Sequence, residues 1–204
     1  MDLYGHRHRN CVRGCFKEAR QQLMAFNKRT LQRIRVPLGF IFAVVFIIFA
    51  QPTALSLAIG SAIAIIGVLI RAWASGHIRK AKELAVSGPY SHTRNPLYVG
   101  SLLMGVGFTL AAGVWWLAII FCVLFIGIYL PVMRVEAEDI RRIFGEEFDE
   151  YERNVPMLIP RIIPWKRSGT AFDFQLYLRY REYRAAIGVA LAIAVLVAKA
   201  YFLP

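Results

Sequence analysis

Two stretches of this chain contain no Asp, Glu, Lys or Arg: residues 36–70, which is 35 residues, and residues 95–133, which is 39. A lipid hydrocarbon core takes about 20 helical residues per crossing, so each stretch is long enough to cross twice. Inside lipid every backbone N–H and C=O must be paired internally, which favours helices over irregular chain. Only 19% of the 204 residues are charged and 57% are hydrophobic, so a water-soluble domain, a disordered tail and a disulfide-stapled module are excluded as main readings. The fold class that follows is an all-α integral membrane helical bundle.

The net charge of +12 is unevenly placed. Residues 1–35 carry nine Lys/Arg and two acids, residues 71–94 carry five and one, and residues 134–184 carry ten of each. The short connections Gln51-Pro52-Thr53 and Ala111-Ala112-Gly113 carry none. Basic segments alternate with bare turns, which puts the N-terminus, the 71–94 loop and the 134–184 segment in the cytoplasm and the bare turns outside. The expected location is a bacterial cell membrane. A nucleic-acid partner is not expected, because it would need a soluble basic face with reading elements. The basic leader, polar for 35 residues, does not read as a secretory signal peptide. It reads as an interfacial helix on an anionic leaflet.

Pro52 divides the first apolar run into spans at 36–50 and 55–73. In the second of these Ser56, Gly60 and Ala64 recur every fourth position, which lets a neighbouring helix approach closely. The Ala-Ala-Gly turn divides the second run into spans at 96–111 and 114–133, the first with Ser101, Gly105 and Thr109 at the same spacing. A fifth span, 185–202, ends with Lys199, which can snorkel to the outer headgroups. Five spans in two hairpins plus one put the C-terminus outside. Before the fifth, Ile140, Ile143, Phe144, Phe148 and Tyr151 share one helical face, predicting an amphipathic cytoplasmic helix over about 135–153 that Pro156, Pro160 and Pro164 end. Phe174, Tyr177, Tyr180 and Tyr183, interleaved with Arg179, Arg181 and Arg184, read as an interfacial anchor.

Two places can carry chemistry. Asn95 before Pro96 is a helix start, Asn as cap and Pro at the first helical position. That start offers free N–H groups and a positive dipole end beside the charge of Arg94, suited to a carboxylate or phosphate. An Arg marking the membrane boundary is the equally weighted alternative. Glu136 stands at the edge of the apolar stripe, one turn before Ile140, where a carboxylate needs a cation: Arg94, Arg134 or a ligand's ammonium. Glu138 points away. His6, His8, Cys11 and Cys15 are loosely zinc-like, but the spacing fits no common site and Arg7, Arg9 and Arg13 oppose a cation, so no metal is expected. Cys122 reads as packing within a span, and Gly105 with Gly107 sits mid-span rather than in a dinucleotide loop.

The run Lys82-Glu83-Leu84-Ala85-Val86-Ser87-Gly88-Pro89-Tyr90, with Arg94-Asn95-Pro96-Leu97-Tyr98-Val99-Gly100, resembles the isoprenylcysteine carboxyl methyltransferase and bacterial phospholipid methyltransferase family. So does the later series of Glu136, Phe144-Gly145-Glu146-Glu147-Phe148-Asp149-Glu150-Tyr151 and Val155-Pro156-Met157-Leu158-Ile159-Pro160. The resemblance covers roughly residues 70–160 and implies an integral membrane enzyme using S-adenosylmethionine. It implies cofactor contacts at Lys82, Glu83, Leu84, Ala85, Tyr90, Asn95, Pro96, Leu97, Tyr98 and Glu136. The residues singled out as catalytic are Arg94, Glu136 and Arg134. The chain departs from the family where its usual His before Pro is Asn95 and its usual double Glu is Glu136-Ala137. The family's carboxylate-binding Arg would fall near Val132, two positions from Arg134.

The reading is a membrane methyltransferase core at 36–164, preceded by the basic segment and followed at 165–204 by the aromatic segment and fifth span. The acceptor would be a carboxylate or amine of a prenylated or phospholipid-like molecule that enters sideways from the membrane lipids. His92 or Glu138 is the candidate base for an amine, although His92 reads first as a solvated loop residue. The alternatives are an NADPH-dependent sterol-type reductase and an inactive scaffold of the same fold.

Overall fold

The structure is a computed structural model that describes residues 37, 39, 41–78, 83–166 and 171–202. The His6/His8/Cys11/Cys15 group, the basic leader and Lys82 lie outside the described residues. The chain divides into two compact units, Met1–Phe42 and Ala43–Pro204. In the first, residues 37, 39, 41 and 42 are helical. The second opens with the end of a first helix, α1, residues 43–49.

Pro52 cannot continue α1, and Thr53 starts α2 (Ala54–Ser75) with a reciprocal cap. Its hydroxyl accepts from Ser56 N at 3.2 Å while the Ser56 hydroxyl accepts from Thr53 N at 2.9 Å. A 3₁₀ turn at Gly88–Ser91 leads to α3 (Pro96–Ala111), and the turn at 112–114 leads to α4 (Trp115–Phe144). Then come α5 (Glu146–Asn154), α6 (Phe174–Arg179) and α7 (Tyr183–Phe202). No strand occurs among the described residues. Three helices, α2, α4 and α7, are long and apolar enough to cross a membrane, and α3 is a shorter apolar helix of 16 residues. Large apolar side chains face outward along them, Ile59, Ile66, Ile119, Ile126 and Leu191 among them, as lipid-facing positions require.

Backbone contact between α2 and α3 is close. A methyl group added at Gly60 would lie 2.4 Å from Gly107 O and Ala111 N, and one at Gly67 would lie 2.6 Å from Gly100 O. The α2 face therefore runs through Gly60, Ala64 and Gly67, while the α3 face runs through Gly100, Gly107 and Ala111. The expected α3 stripe of Ser101, Gly105 and Thr109 is offset from it. Gly105 instead receives the Phe121 ring of α4, and Ser101 accepts from Arg71 at 2.6 Å.

One end of the bundle holds the short turns. Gln51 N donates to Ala112 O at 2.8 Å, and Gly113 adopts φ +69° against Gln51 O. Lys199 ends here too, but its ammonium donates to Ile47 O (2.5 Å) and Ile48 O (2.7 Å), capping α1 rather than reaching for headgroups. The opposite end holds the 3₁₀ turn, the start of α3, the end of α4, α5 and residues 155–166.

The helix expected at 135–153 is two elements. α4 passes through Pro131 without a break and runs 30 residues, about 45 Å, to Phe144. Gly145 at φ +51° then turns the chain into α5. That turn splits the predicted stripe. Phe148, Tyr151 and Val155 form a buried cluster on which Leu84, Val86, Ala137, Ile140, Phe144 and Trp165 pack, whereas Ile143 stands exposed. Cys122, expected to pack, is also exposed.

Candidate functional site

The site is built from two loops that satisfy each other. Arg94 N donates to Pro156 O at 2.9 Å, Arg161 N to His92 O at 2.9 Å and Trp165 N to Ser91 O at 3.0 Å. The Thr93 hydroxyl reaches Met157 O and Leu158 O, both at 3.2 Å, and Asn95 Nδ2 donates to Met157 O at 2.9 Å. Asn95 therefore binds the other loop instead of capping α3 with its side chain, contrary to the helix-start reading. The amides around that start are also largely engaged: Asn95 N meets the Thr93 hydroxyl at 3.4 Å, and Tyr98 and Val99 donate to Asn95 O. Pro96 holds the first helical position and is fully buried.

Arg94 has a different partner from the two that its charge suggested. Its guanidinium pairs with Glu152 of α5, and the second oxygen of Glu152 pairs with Arg141 of α4. Arg141 also donates to Asp149 at 2.8 Å. Both guanidiniums stand against the Phe148 ring, at 6.0 and 5.5 Å. Arg94 Nε is buried and has no hydrogen-bond partner, so the charge of Arg94 is balanced while part of its donor set is open.

Glu136 is half-buried, and its partner is a hydroxyl: Tyr98 donates to Oε2 at 3.0 Å. No cation pairs with it among the described residues; neither Arg94 nor Arg134 does. Arg134 is exposed on α4. Tyr98 lies one turn into α3, so its hydrogen bond joins the two parts of the sequence that carried the family resemblance. Below it an aromatic column descends α4 toward the apolar interior: Tyr98 against Tyr129 (5.4 Å), Tyr129 stacked on Phe125 (4.8 Å) and Phe125 beside Phe121 (5.7 Å).

The remaining predicted residues spread along the same end. Leu84 packs on the Phe148 cluster, Ala85 is half-buried and Glu83 is exposed. Tyr90 is buried with an unpartnered hydroxyl, and its carbonyl accepts from Tyr151 Oη at 2.7 Å. Burial pushes both phenols up, Tyr90 well above the usual tyrosine range. Leu97 O accepts from Arg71 at 3.2 Å. His92 is tied by Nδ1 to Arg161 O at 2.8 Å, so it is a half-buried loop clasp rather than a solvated residue. That carbonyl can only accept, so Nδ1 carries the hydrogen of this bond.

Sequence reasoning missed Glu152, Arg71 and Glu182. Arg71 chelates Glu182 through Nε (3.0 Å) and Nη2 (2.8 and 2.9 Å) and braces Leu97 O and Ser101 at the start of α3. Arg71 alone interrupts the apolar pattern of α2, and that was the available signal for it.

The donor set suits an amino-acid tail in one respect and resists it in another. Glu136, half-buried and without a cation, fits an ammonium. Arg94 is already paired with Glu152, so it fits a carboxylate only if that pair is loosened. Among the described residues no three His, Cys, Asp or Glu side chains gather to hold a metal ion.

The chain belongs to the phospholipid methyltransferase family, whose model it matches over residues 40–147. Family membership and the long apolar helices together suggest a membrane methyltransferase, and family members generally use S-adenosylmethionine. It is 36% identical over 102 residues to the nickel-cobalt-cadmium resistance protein NccN of Alcaligenes xylosoxydans xylosoxydans, covering 49% of this chain and 47% of that protein. It is 32% identical over 114 residues to the cobalt-zinc-cadmium resistance protein CzcN of Cupriavidus metallidurans, covering 55% and 51% respectively. The chain thus spans about half the length of the curated relatives it matches. No solved structure matches it. The reductase alternative gains no support from these relatives.

Proposed function

We propose that this chain transfers the methyl group of S-adenosylmethionine to a lipophilic acceptor at the inner end of a five-span bundle, with the site and N-terminus cytoplasmic. The observation that carries the reading is Glu136: a half-buried carboxylate that accepts from Tyr98 and has no cation paired with it among the described residues. A buried or half-buried carboxylate in that state is a ready partner for an ammonium group. The positive-inside pattern of the sequence supports the orientation.

When bound, S-adenosylmethionine supplies a sulfonium methyl, and the C–S bond pair remains on sulfur as the acceptor's lone pair takes the carbon. The chain's own work is positioning and exclusion of water. Glu136 holds the ammonium, and Tyr98 fixes the carboxylate that does so. Arg94 would meet the carboxylate by giving up part of its pair with Glu152, whose other oxygen stays on Arg141. The backbone at Glu83, Leu84 and Ala85, with Tyr90, Asn95, Pro96 and Leu97, bounds the nucleoside, and we include Lys82 on the resemblance alone. The column of Tyr129, Phe125 and Phe121 offers an apolar wall to the acceptor, and the exposed Arg134 is available to an anionic group on it. The two relatives are named for resistance and not for a reaction, so their names leave the acceptor open.

The test is incubation of membranes containing the protein with methyl-labelled S-adenosylmethionine, followed by lipid extraction. The expected result is one labelled lipid class, lost in Glu136→Ala. Cofactor binding without any labelled product supports the inactive-scaffold alternative. Absence of both binding and labelling refutes the proposal.

A further inference from the structure

Residues 156–166 contain the sequence Pro-Met-Leu-Ile-Pro-Arg-Ile-Ile-Pro-Trp-Lys, and its isoleucines are turned away from the protein. Ile162 is 96% exposed, Ile159 80% and Ile163 66%. A loop in water would not normally present three adjacent large aliphatic side chains. The depth of the loop resolves the conflict. α3 is about 24 Å long, short of a hydrocarbon core of about 30 Å, and its outer tip is level with the Gln51 turn. Gly67 of α2 faces Gly100 of α3; from those positions α2 runs eight residues to Ser75, and α3 only four back to Pro96. α2 therefore continues about 6 Å beyond the start of α3. The segment 91–95, and the loop hydrogen-bonded to it, fill that step at the membrane boundary.

Three further observations agree. Trp73, an exposed residue of the kind that marks a lipid–water interface, stands 6.4 Å from His92, which is clasped to Arg161 O. Pro156, Pro160 and Pro164 have no N–H to leave unpaired, and the Arg161 and Trp165 N–H groups are bonded to His92 and Ser91, which reduces the number of backbone donors the loop presents at the interface. Lys166 follows the apolar tip, its Nζ 4.2 Å over the Trp165 ring, a cation placed to meet an anionic leaflet, while the Arg161 guanidinium turns back to Asn154 O at 2.6 Å.

We infer that residues 159–165 form a monotopic wedge, with Ile159, Ile162 and Ile163 inserted among the acyl chains of the leaflet beside the site. The occupant of this face is lipid. Because the backbone of the same loop binds His92, Thr93, Arg94 and Asn95, the membrane itself holds the start of α3 in place. The inference depends on the chain lying in a membrane and not on methyl transfer.

The test uses the full chain in nanodiscs of phosphatidylglycerol and phosphatidylcholine, with Cys11, Cys15 and Cys122 replaced by Ser. Ile162→Cys and, as an aqueous control on the acidic face of α5, Glu150→Cys each carry an environment-sensitive fluorophore. We expect the label at 162 to be quenched at least threefold more by lipids spin-labelled high on the acyl chain than by aqueous iodide, with the reverse order at 150. A label at 162 that iodide quenches as well as at 150 overturns the inference. So does one insensitive to both quenchers but quenched by a second labelled copy, which would make the face a contact between chains. Position 162 is nearly fully exposed, so the substitution does not test folding instead.

Discussion

Replacement of Gly107 by Ala tests whether the α2–α3 contact sets the position of the site. The new methyl group would stand 2.6 Å from both Ala64 N and Gly60 O and 2.9 Å from Ala64 Cβ. Ordinary contact begins near 3.4 Å, so something must move by about 0.8 Å. The obstructing atoms are backbone and one methyl, so no rotamer change relieves them. Overpacking of this kind costs about 1–3 kcal/mol, and the gain in helix propensity of Ala over Gly returns at most about 1 kcal/mol. Gly127→Ala is the matched control: it lies in α4 with nothing within 4 Å of the added methyl and receives only the propensity gain. Thermal unfolding of the two variants in one detergent should separate them by roughly 2–12 °C, at about 2–4 °C per kcal/mol for a chain of this size. Gly107→Ala is the less stable. As α3 carries Asn95 and Tyr98, its cofactor affinity should fall as well. Equal melting temperatures for the two variants would show that the helices are not in the contact described.

Glu136→Gln keeps an acceptor for Tyr98 but removes the charge; a charge-assisted hydrogen bond contributes about 1.5–3 kcal/mol, so equilibrium dialysis should show S-adenosylmethionine binding weakened roughly 10- to 150-fold. Tyr98→Phe should weaken it less, since the carboxylate remains. Tyr151→Phe removes the bond to Tyr90 O and should cost about 1 kcal/mol in unfolding assays. Burial raises the Tyr151 pKa in the folded state above its unfolded value of 10.0, so the stability it contributes is complete below that pH and is lost as pH rises above it. The alkaline decline in melting temperature should therefore be shallower in Tyr151→Phe. Glu182→Ala leaves Arg71 without its carboxylate; the pair is not wholly buried, so we expect a loss of roughly 1–3 kcal/mol, with Glu182→Gln retaining part of it.

The membrane helices were legible because lipid excludes charge. The uncharged runs gave α2, α3 and the apolar part of α4, and Pro52 and Gly113 marked the turns. Tyr98 and Glu136 were named together only through the family resemblance; the spacing of residues offered Glu136 a cation, and the hydroxyl of Tyr98 is its partner instead. Other features depend on contacts that periodicity does not encode. Glu152 is 58 residues from Arg94, and nothing in the spacing of α5 distinguishes it from the four other acidic residues of that helix. The helical period was read straight through Gly145, whose left-handed backbone places Phe148 and Ile143 on different sides. Asn95 was read as a cap because Asn-Pro usually is one, but its amide serves Met157 in a loop distant in sequence. The small-residue stripe of α3 was misplaced because Gly105 and Gly107 each serve a different neighbour.

The family match stops at residue 147, yet α7 is moored to the matched part at both tips: Glu182 to Arg71 at one, Lys199 to the last carbonyls of α1 at the other. A truncated version designed from the homology boundary would leave the Arg71 guanidinium without its carboxylate and the last carbonyls of α1 without their ammonium. Evolutionary module and foldable unit are different lengths of this polypeptide, and the longer one is what must be expressed.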